Sequence, residues 1–204
     1  MDGVVYHGSP QGGIKELRIN PSAHKNPYVY ATSNKIIALI FTSKGRGDLD
    51  TNIRVDEKGK IILTERRAGV LEELYKGKSG YIYTLSGENF KHYDYMWGPE
   101  VVSEQNESVI GEEKIDNLLD KLIELHQTGR IQLNFYPQRP DDMPIDNRDL
   151  IPKYINLYRA SAGKSKALDD LLSVYPEFRG DLSLYTDLNV SPQVAQTTNP
   201  VINK

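Results

Sequence analysis

The chain has 204 residues, a length that suits one domain, or one domain with an appendage, and that is enough to bury a hydrophobic core. Its 25 Lys and Arg against 28 Asp and Glu give a net charge of -3. This balance argues against a strongly basic nucleic-acid binder, although it leaves room for a local basic patch. The absence of cysteine excludes disulfides, thiolate zinc sites and cysteine nucleophiles.

The hydropathy of the chain predicts a cytoplasmic protein, of the producing cell or of a target cell. No apolar run approaches the ~20 residues that a membrane helix needs. The first seven residues lack the basic and long apolar regions of a signal peptide. We therefore expect no association with a membrane.

Short strands and helices alternate along the chain, which predicts an α+β fold. Segments rich in β-branched and aromatic residues are predicted strands at residues 4–6, 28–31, 52–55, 60–64, 80–85 and 100–103. The third and fourth of these form a hairpin that turns at residues 56–59. Segments with helical spacing of apolar residues are predicted helices at residues 35–41, 68–75, 112–127 and 166–175.

Thr32 and Ser33 are candidate N-caps for the helix at residues 35–41. Residues 130–160 are punctuated by proline and asparagine and are expected to be largely irregular. We expect residues 1–180 to form a single domain and the polar residues 181–204 to form a loose tail.

Three segments carry residues suited to chemistry. Tyr6-His7-Gly8-Ser9 ends the first predicted strand, and Tyr30 and Phe41 flank the start and end of the first helical segment at a spacing of eleven positions. Glu100 follows Gly-Pro and opens an apolar strand. Each segment alone is a weak signal, but their order along the chain and their positions on strands agree with one another.

Together these segments resemble the diphtheria-toxin-like branch of the ADP-ribosyltransferases, which includes the poly(ADP-ribose) polymerases. That family carries a His-Gly on its first strand, a Tyr that opens a turn into a helix, a second aromatic residue eleven positions later and a Glu at the start of a later strand. The resemblance covers residues 4–110, about half of the chain. It implies a split pair of small antiparallel sheets with flanking helices and an NAD cleft, and it leaves residues 111–180 as a helical or irregular C-terminal part of the domain.

The resemblance implies that residues 7–9 hold NAD, which is the substrate. His7 would bond the adenosine-side ribose. The backbone of Gly8 would bond the nicotinamide amide, and its missing side chain would permit that close approach. Ser9 belongs to the same NAD-binding segment.

The same resemblance assigns the nicotinamide end of NAD to the other motifs. Tyr30 and Phe41 would stack on the nicotinamide ring, and Tyr30 would stand with His7 and Glu100 in the catalytic set. Glu100 would bond the nicotinamide ribose and stabilise the positive charge that develops as the glycosidic bond breaks. No metal is needed for this chemistry.

This sequence departs from the family pattern in three respects. Phe41 replaces the more common second tyrosine, and it can stack but cannot donate a hydrogen bond. Glu104 lies two strand positions beyond Val102 and shares a predicted face with Glu100, so it is a second candidate acid. Gly98 stands two positions before Glu100, where members that modify arginine carry an acid or amide, and this argues against an arginine acceptor.

The resulting hypothesis is a toxin-like mono-ADP-ribosyltransferase that transfers ADP-ribose to a macromolecule, and the net charge favours a protein over a nucleic acid as the acceptor. Three alternatives stay open: an NAD glycohydrolase, an RNA 2′-phosphotransferase and a non-catalytic binding module with the same fold. A metal site is not expected, because no His-x-x-x-His or Glu-x-x-His spacing occurs.

Overall fold

The computed structural model describes residues 3–21 and 27–185, and the fold is α+β. The strands are β1 (Val4–Ser9), β2 (Glu16–Leu17), β3 (Asn20–Pro21), β4 (Pro27–Thr32), β5 (Thr51–Val55), β6 (Ile61–Glu65), β7 (Gly80–Ser86), β8 (Glu100–Ser103), β9 (Glu107–Ile115) and β10 (Ile131–Asn134). The α-helices are α1 (Lys35–Ile40), α2 (Val70–Tyr75), α3 (Leu118–Gln127), α4 (Leu150–Ala160), α5 (Ala167–Val174) and α6 (Arg179–Leu182).

Seven of these strands form an antiparallel sheet with the order β2-β9-β7-β1-β4-β3, in which β8 also pairs with β4. β1 pairs with β7 along its whole length, from Val4 to Ser9. On its other side, within the described residues, β1 is in register with β4 only at Tyr6 and Thr32. The sheet therefore consists of two halves that separate beyond this one residue pair.

A second sheet contains three strands in the order β10-β6-β5. β5 and β6 form the antiparallel hairpin predicted from the sequence, and β10 runs parallel to β6. Because a parallel neighbour requires a crossover, α2, β7–β9 and α3 all lie between β6 and β10 in the chain.

Helix α1 packs against the large sheet beside the point where its halves separate. Ile37, Ala38, Leu39 and Ile40 are buried, in a core that also includes residues of α2, α3, β6, β7 and β10. The helix predicted at residues 35–41 is confirmed, but its N-cap is Asn34, whose side chain accepts the N–H of Ile36 at 2.9 Å. The predicted caps Thr32 and Ser33 lie before it, and the Thr32 hydroxyl accepts the N–H of Asn34 at 3.1 Å.

The prediction of one helix over residues 112–127 is wrong in its first part. Residues 112–115 belong to β9, where Glu112 lies opposite Tyr83 and Ile115 opposite Gly80 on β7. The helix α3 begins only after Asn117, whose side chain accepts the N–H of Asp120 at 3.3 Å. Pairing with a neighbouring strand outweighs the helix propensity of Glu and Lys in this segment.

The chain divides into two compact units, Met1–Pro140 and Asp141–Lys204. In the second unit α4, α5 and α6 bury Leu150, Leu171 and Leu182, and Arg148 pairs with Asp181 at 3.1 Å. The single domain expected over residues 1–180 stays a prediction.

The loose tail expected at residues 181–204 lies, from residue 186 onward, outside the described residues. Over the described ranges no helix has the length and the apolar character that a membrane crossing requires.

Candidate functional site

A cavity of about 270 Å³ opens where the two halves of the large sheet separate. Four elements contribute to it: the middle of β1, the end of β4, helix α1 with the residue that follows it, and the start of β8 with the turn that precedes it. Its lining residues are Tyr6, His7, Gly8, Tyr30, Ala31, Thr32, Ile37, Ala38, Phe41, Trp97 and Glu100. Five of the residues that the sequence singled out, His7, Gly8, Tyr30, Phe41 and Glu100, therefore line one cavity.

The ring of His7 bridges the gap between β1 and β4. Its Nδ1 lies 2.7 Å from the carbonyl oxygen of Tyr30. Since a carbonyl can only accept, Nδ1 carries the hydrogen, and the neutral ring keeps Nε2 as an acceptor. Burial lowers the pKa of His7 and outweighs the opposing effect of the hydrogen bond to Tyr30. The site thus contains a neutral imidazole of fixed tautomer at neutral pH.

Gly8 lines the cavity through its backbone, but the reason for glycine at this position is the packing of helix α1. A Cβ atom at Gly8 would lie 1.9 Å from the carbonyl oxygen of Ala38 and 3.0 Å from the backbone nitrogen of Thr42. The missing side chain therefore lets α1 approach β1 closely, whereas the sequence hypothesis gave ligand approach as its purpose.

Four aromatic side chains line the cavity: Tyr6 of β1 and three from other elements. Tyr30 of β4 is half-buried, whereas Phe41, directly after α1, is 51% exposed. Trp97 is 37% exposed and meets Phe41 edge to face, with ring centroids 6.3 Å apart and planes at 79°. Exposed aromatic faces at a cavity are suited to stacking on a planar ligand.

The carboxylate in the cavity belongs to Glu100, and Glu104 is not among the lining residues. Glu100 opens β8 opposite Thr32, which in turn lies opposite Tyr6, so these three residues form one row across the sheet. Glu104 lies just beyond β8, is exposed, and accepts the Tyr93 hydroxyl at 2.5 Å. The sequence predicted both acids on one face of the strand. Only Glu100 lines the cavity, because β8 ends at Ser103 and Glu104 lies beyond it.

A second, larger cavity of about 680 Å³ adjoins the first, and His7 and Tyr30 line both. Ser9 lies in this second cavity, where its hydroxyl is largely buried and accepts the N–H of Gln11 at 3.1 Å. Its lining includes three cationic side chains, Lys15, Arg18 and Lys44. Arg18 also pairs with Glu16 at 3.4 Å.

Among the described residues, no group of three or more His, Cys, Asp or Glu side chains is arranged to hold a metal ion. The candidate site thus offers a neutral imidazole, four aromatic rings and one carboxylate, together with the cations of the adjoining cavity.

Sequence reasoning missed Tyr6, Thr32 and Trp97 as lining residues. Tyr6 and Thr32 form the one pair of residues in strand register between β1 and β4 over the described ranges, and no local pattern reveals this register. Trp97 carried one usable signal, since it is the single tryptophan of the chain and lies three positions before Glu100.

Comparison of the chain with protein-family models, with curated proteins and with solved structures finds no match in any of the three.

Proposed function

We propose that the protein is a mono-ADP-ribosyltransferase that uses NAD as its substrate. The observation that carries the proposal is the convergence of His7, Tyr30, Phe41 and Glu100 on one cavity, although they come from four separate elements. Their types match the resemblance to the diphtheria-toxin-like enzymes, and the narrow pairing of β1 with β4 in the antiparallel sheet is compatible with the split pair of sheets that the resemblance implies.

The distribution of charge over the two cavities supports NAD as the ligand. The described lining of the smaller cavity contains one carboxylate and no cationic side chain, which suits the positively charged nicotinamide ring. The larger cavity has Lys15, Arg18 and Lys44 against Glu16 in its described lining, an excess of cations that suits the negatively charged diphosphate. The smaller cavity, at about 270 Å³, is just below the roughly 300–1,000 Å³ typical of ligand pockets, so it would take only one end of the dinucleotide.

In the proposed reaction the bond between the nicotinamide nitrogen and C1′ of its ribose breaks. The electron pair goes to the ring nitrogen, which becomes neutral, and C1′ acquires oxocarbenium character. A nucleophile of the acceptor then bonds to C1′ and releases its proton to solvent. Glu100 bonds the ribose hydroxyl and stabilises the developing charge in a cavity lined mainly by apolar groups.

His7 and the aromatic residues bind and orient the substrate in this scheme. The fixed Nε2 acceptor of His7 takes a hydroxyl hydrogen of the adenosine-side ribose. Tyr30 and Phe41 hold the nicotinamide ring by stacking. The net charge of -3 favours a protein acceptor over a nucleic acid.

The test is an assay of nicotinamide release and of labelling of proteins in a whole-cell lysate, with biotinylated NAD. Glu100→Gln should lower kcat by about 100-fold or more, because it removes the charge that stabilises the transition state, while NAD still raises the melting temperature. Glu104→Gln is the matched control, since Glu104 lies outside the cavity and binds Tyr93, and it should retain the wild-type rate.

Wild-type activity in Glu100→Gln would refute the assignment. Release of nicotinamide without labelling of any macromolecule would instead indicate an NAD glycohydrolase. No release and no thermal shift with NAD would favour the non-catalytic binding module.

A further inference from the structure

Trp97 occupies a position in the candidate site that the motifs of the sequence do not assign. It lies between Phe90 and Glu100, in a segment without regular strand or helix that precedes β8, and it lines the cavity. Its ring meets that of Phe41 edge to face at 6.3 Å. Both rings remain more than one third exposed, so neither is explained by burial in the core.

The position of Trp97 is tied to that of Glu100 by one tight turn. The N–H of Glu100 donates to the carbonyl oxygen of Trp97 at 2.8 Å, and Gly98 and Pro99 lie between them. The carbonyl of Glu100 accepts a hydrogen bond from Nδ1 of His92 at 2.8 Å. The same hydrogen-bonded turn therefore fixes the backbone of both Trp97 and Glu100.

We propose that Trp97 is a third aromatic contact for the nicotinamide ring of NAD, and that its contact selects the positively charged ring. This inference rests on the proposed function. Indole has the most favourable face of the aromatic side chains for a cation, and nicotinamide is cationic only while it is bonded to the ribose. The attraction to Trp97 is therefore lost once the bond breaks, which favours release of neutral nicotinamide.

The proposal separates the roles of two residues on one turn. Trp97 holds the ring equally in the bound substrate and until the bond breaks, so its loss raises KM for NAD with little effect on kcat. Glu100 acts on the charge that develops in the transition state, so its loss lowers kcat. Trp97→Ala should raise KM about tenfold and change kcat less than about threefold, a size expected for one aromatic or cation–π contact. Trp97→Phe should restore most of the binding, because a phenyl ring retains a stacking face.

The kinetic test measures nicotinamide release over a range of NAD concentrations for the wild type and for these two variants. Tyr95→Ala is the matched control: it lies in the same segment, is 61% exposed and does not line the cavity. It should leave KM unchanged. If Trp97→Ala keeps the wild-type KM while the wild type is active, the inference is overturned and the proposed function stands.

A second measurement uses the fact that Trp97 is the single tryptophan. Titration with NAD should change the tryptophan fluorescence with saturation, and free nicotinamide should do so at least tenfold more weakly. Equal affinity for NAD and nicotinamide would contradict selection of the cationic ring. If the wild type neither releases nicotinamide nor gains thermal stability with NAD, the proposed function fails, and the role of Trp97 fails with it.

Discussion

Replacement of Gly8 by alanine tests whether this glycine serves the fold or the ligand. The added Cβ would lie 1.9 Å from the Ala38 carbonyl oxygen, and real Cβ contacts essentially never fall below 3.0 Å. The obstacle is backbone, so the only relief is a shift of α1 away from β1. Forcing such a shift in a packed core costs about 1–3 kcal/mol of folding stability. In a chain of this length each kcal/mol lowers the melting temperature by roughly 2–4 °C.

The measurement is thermal unfolding of the protein without NAD. Gly98→Ala is the matched control, because nothing lies within 4 Å of a Cβ at that position, although it is in the turn before Glu100. Gly8→Ala should melt several degrees below the wild type, and Gly98→Ala within about a degree. If both variants melt with the wild type, the glycine is not required by the packing of α1, and close approach of a ligand becomes the better explanation.

Three further predictions concern ionisable groups. Burial lowers the pKa of His7 below 6.5, and protonation removes the Nε2 acceptor. KM for NAD should therefore be constant above pH 6.5 and rise as the pH falls through the lowered pKa. A KM that falls on acidification would show that the protonated ring binds NAD. Burial alone would raise the pKa of Asp50, but three hydrogen bonds from the Arg46 side chain, one from its N–H and one from Arg67 outweigh burial and hold that pKa below its usual value. The stability lost in Asp50→Asn, measured by urea unfolding, should therefore be full at pH 6 and shrink as the pH falls below about 4. Buried Glu65 accepts two backbone N–H groups, from α2 and from the segment after β10, so Glu65→Ala should cost about 2–4 kcal/mol in the same assay, and a cost below 0.5 kcal/mol would contradict this role.

Local patterns were sufficient for the elements whose ends are marked by their own residues. The hairpin of β5 and β6 was predicted because the turn carries Asp56 and Gly59; the Asp56 side chain accepts the N–H groups of Lys58 and Lys60, and Gly59 has a positive φ of 79°. The helix α1 was predicted because its apolar run follows a polar turn. In both cases the decisive contacts lie within a few residues of each other.

The strands β1, β4, β7 and β8 were predicted from their composition, but two segments whose composition points to another structure were not. Residues 112–115 carry good helix formers, but they pair with residues 80–83 of β7, which lie far from them in the chain. The helix α4 was not expected, because Pro152 falls inside it. Proline is tolerated there since it occupies the first turn, where its missing N–H has no partner within the helix.

Some residues of the candidate site were predicted from the sequence and others were not. His7, Tyr30 and Glu100 were predicted because the order of the motifs along the chain can be recognised without any knowledge of contacts. Trp97 and the exclusion of Glu104 were not, because both depend on where β8 begins and ends and on how the preceding turn is held. The pattern indicated which chemistry to look for, and the packing decided which side chains reach it.

The row of Tyr6, Thr32 and Glu100 links the stability of the sheet to the geometry of the site. Glu100 lies two strand spacings from Tyr6, about 10 Å, and this separation is set by the backbone pairing of β4 with both neighbours. In the proposed reaction, a carboxylate held by the sheet needs little reorganisation when positive charge develops beside it. Replacing a lining side chain such as Trp97 should therefore change binding and leave the position of Glu100 intact. The Gly8→Ala variant displaces the backbone of α1 relative to β1, and both elements line the cavity. It should therefore impair NAD binding and the chemical step together.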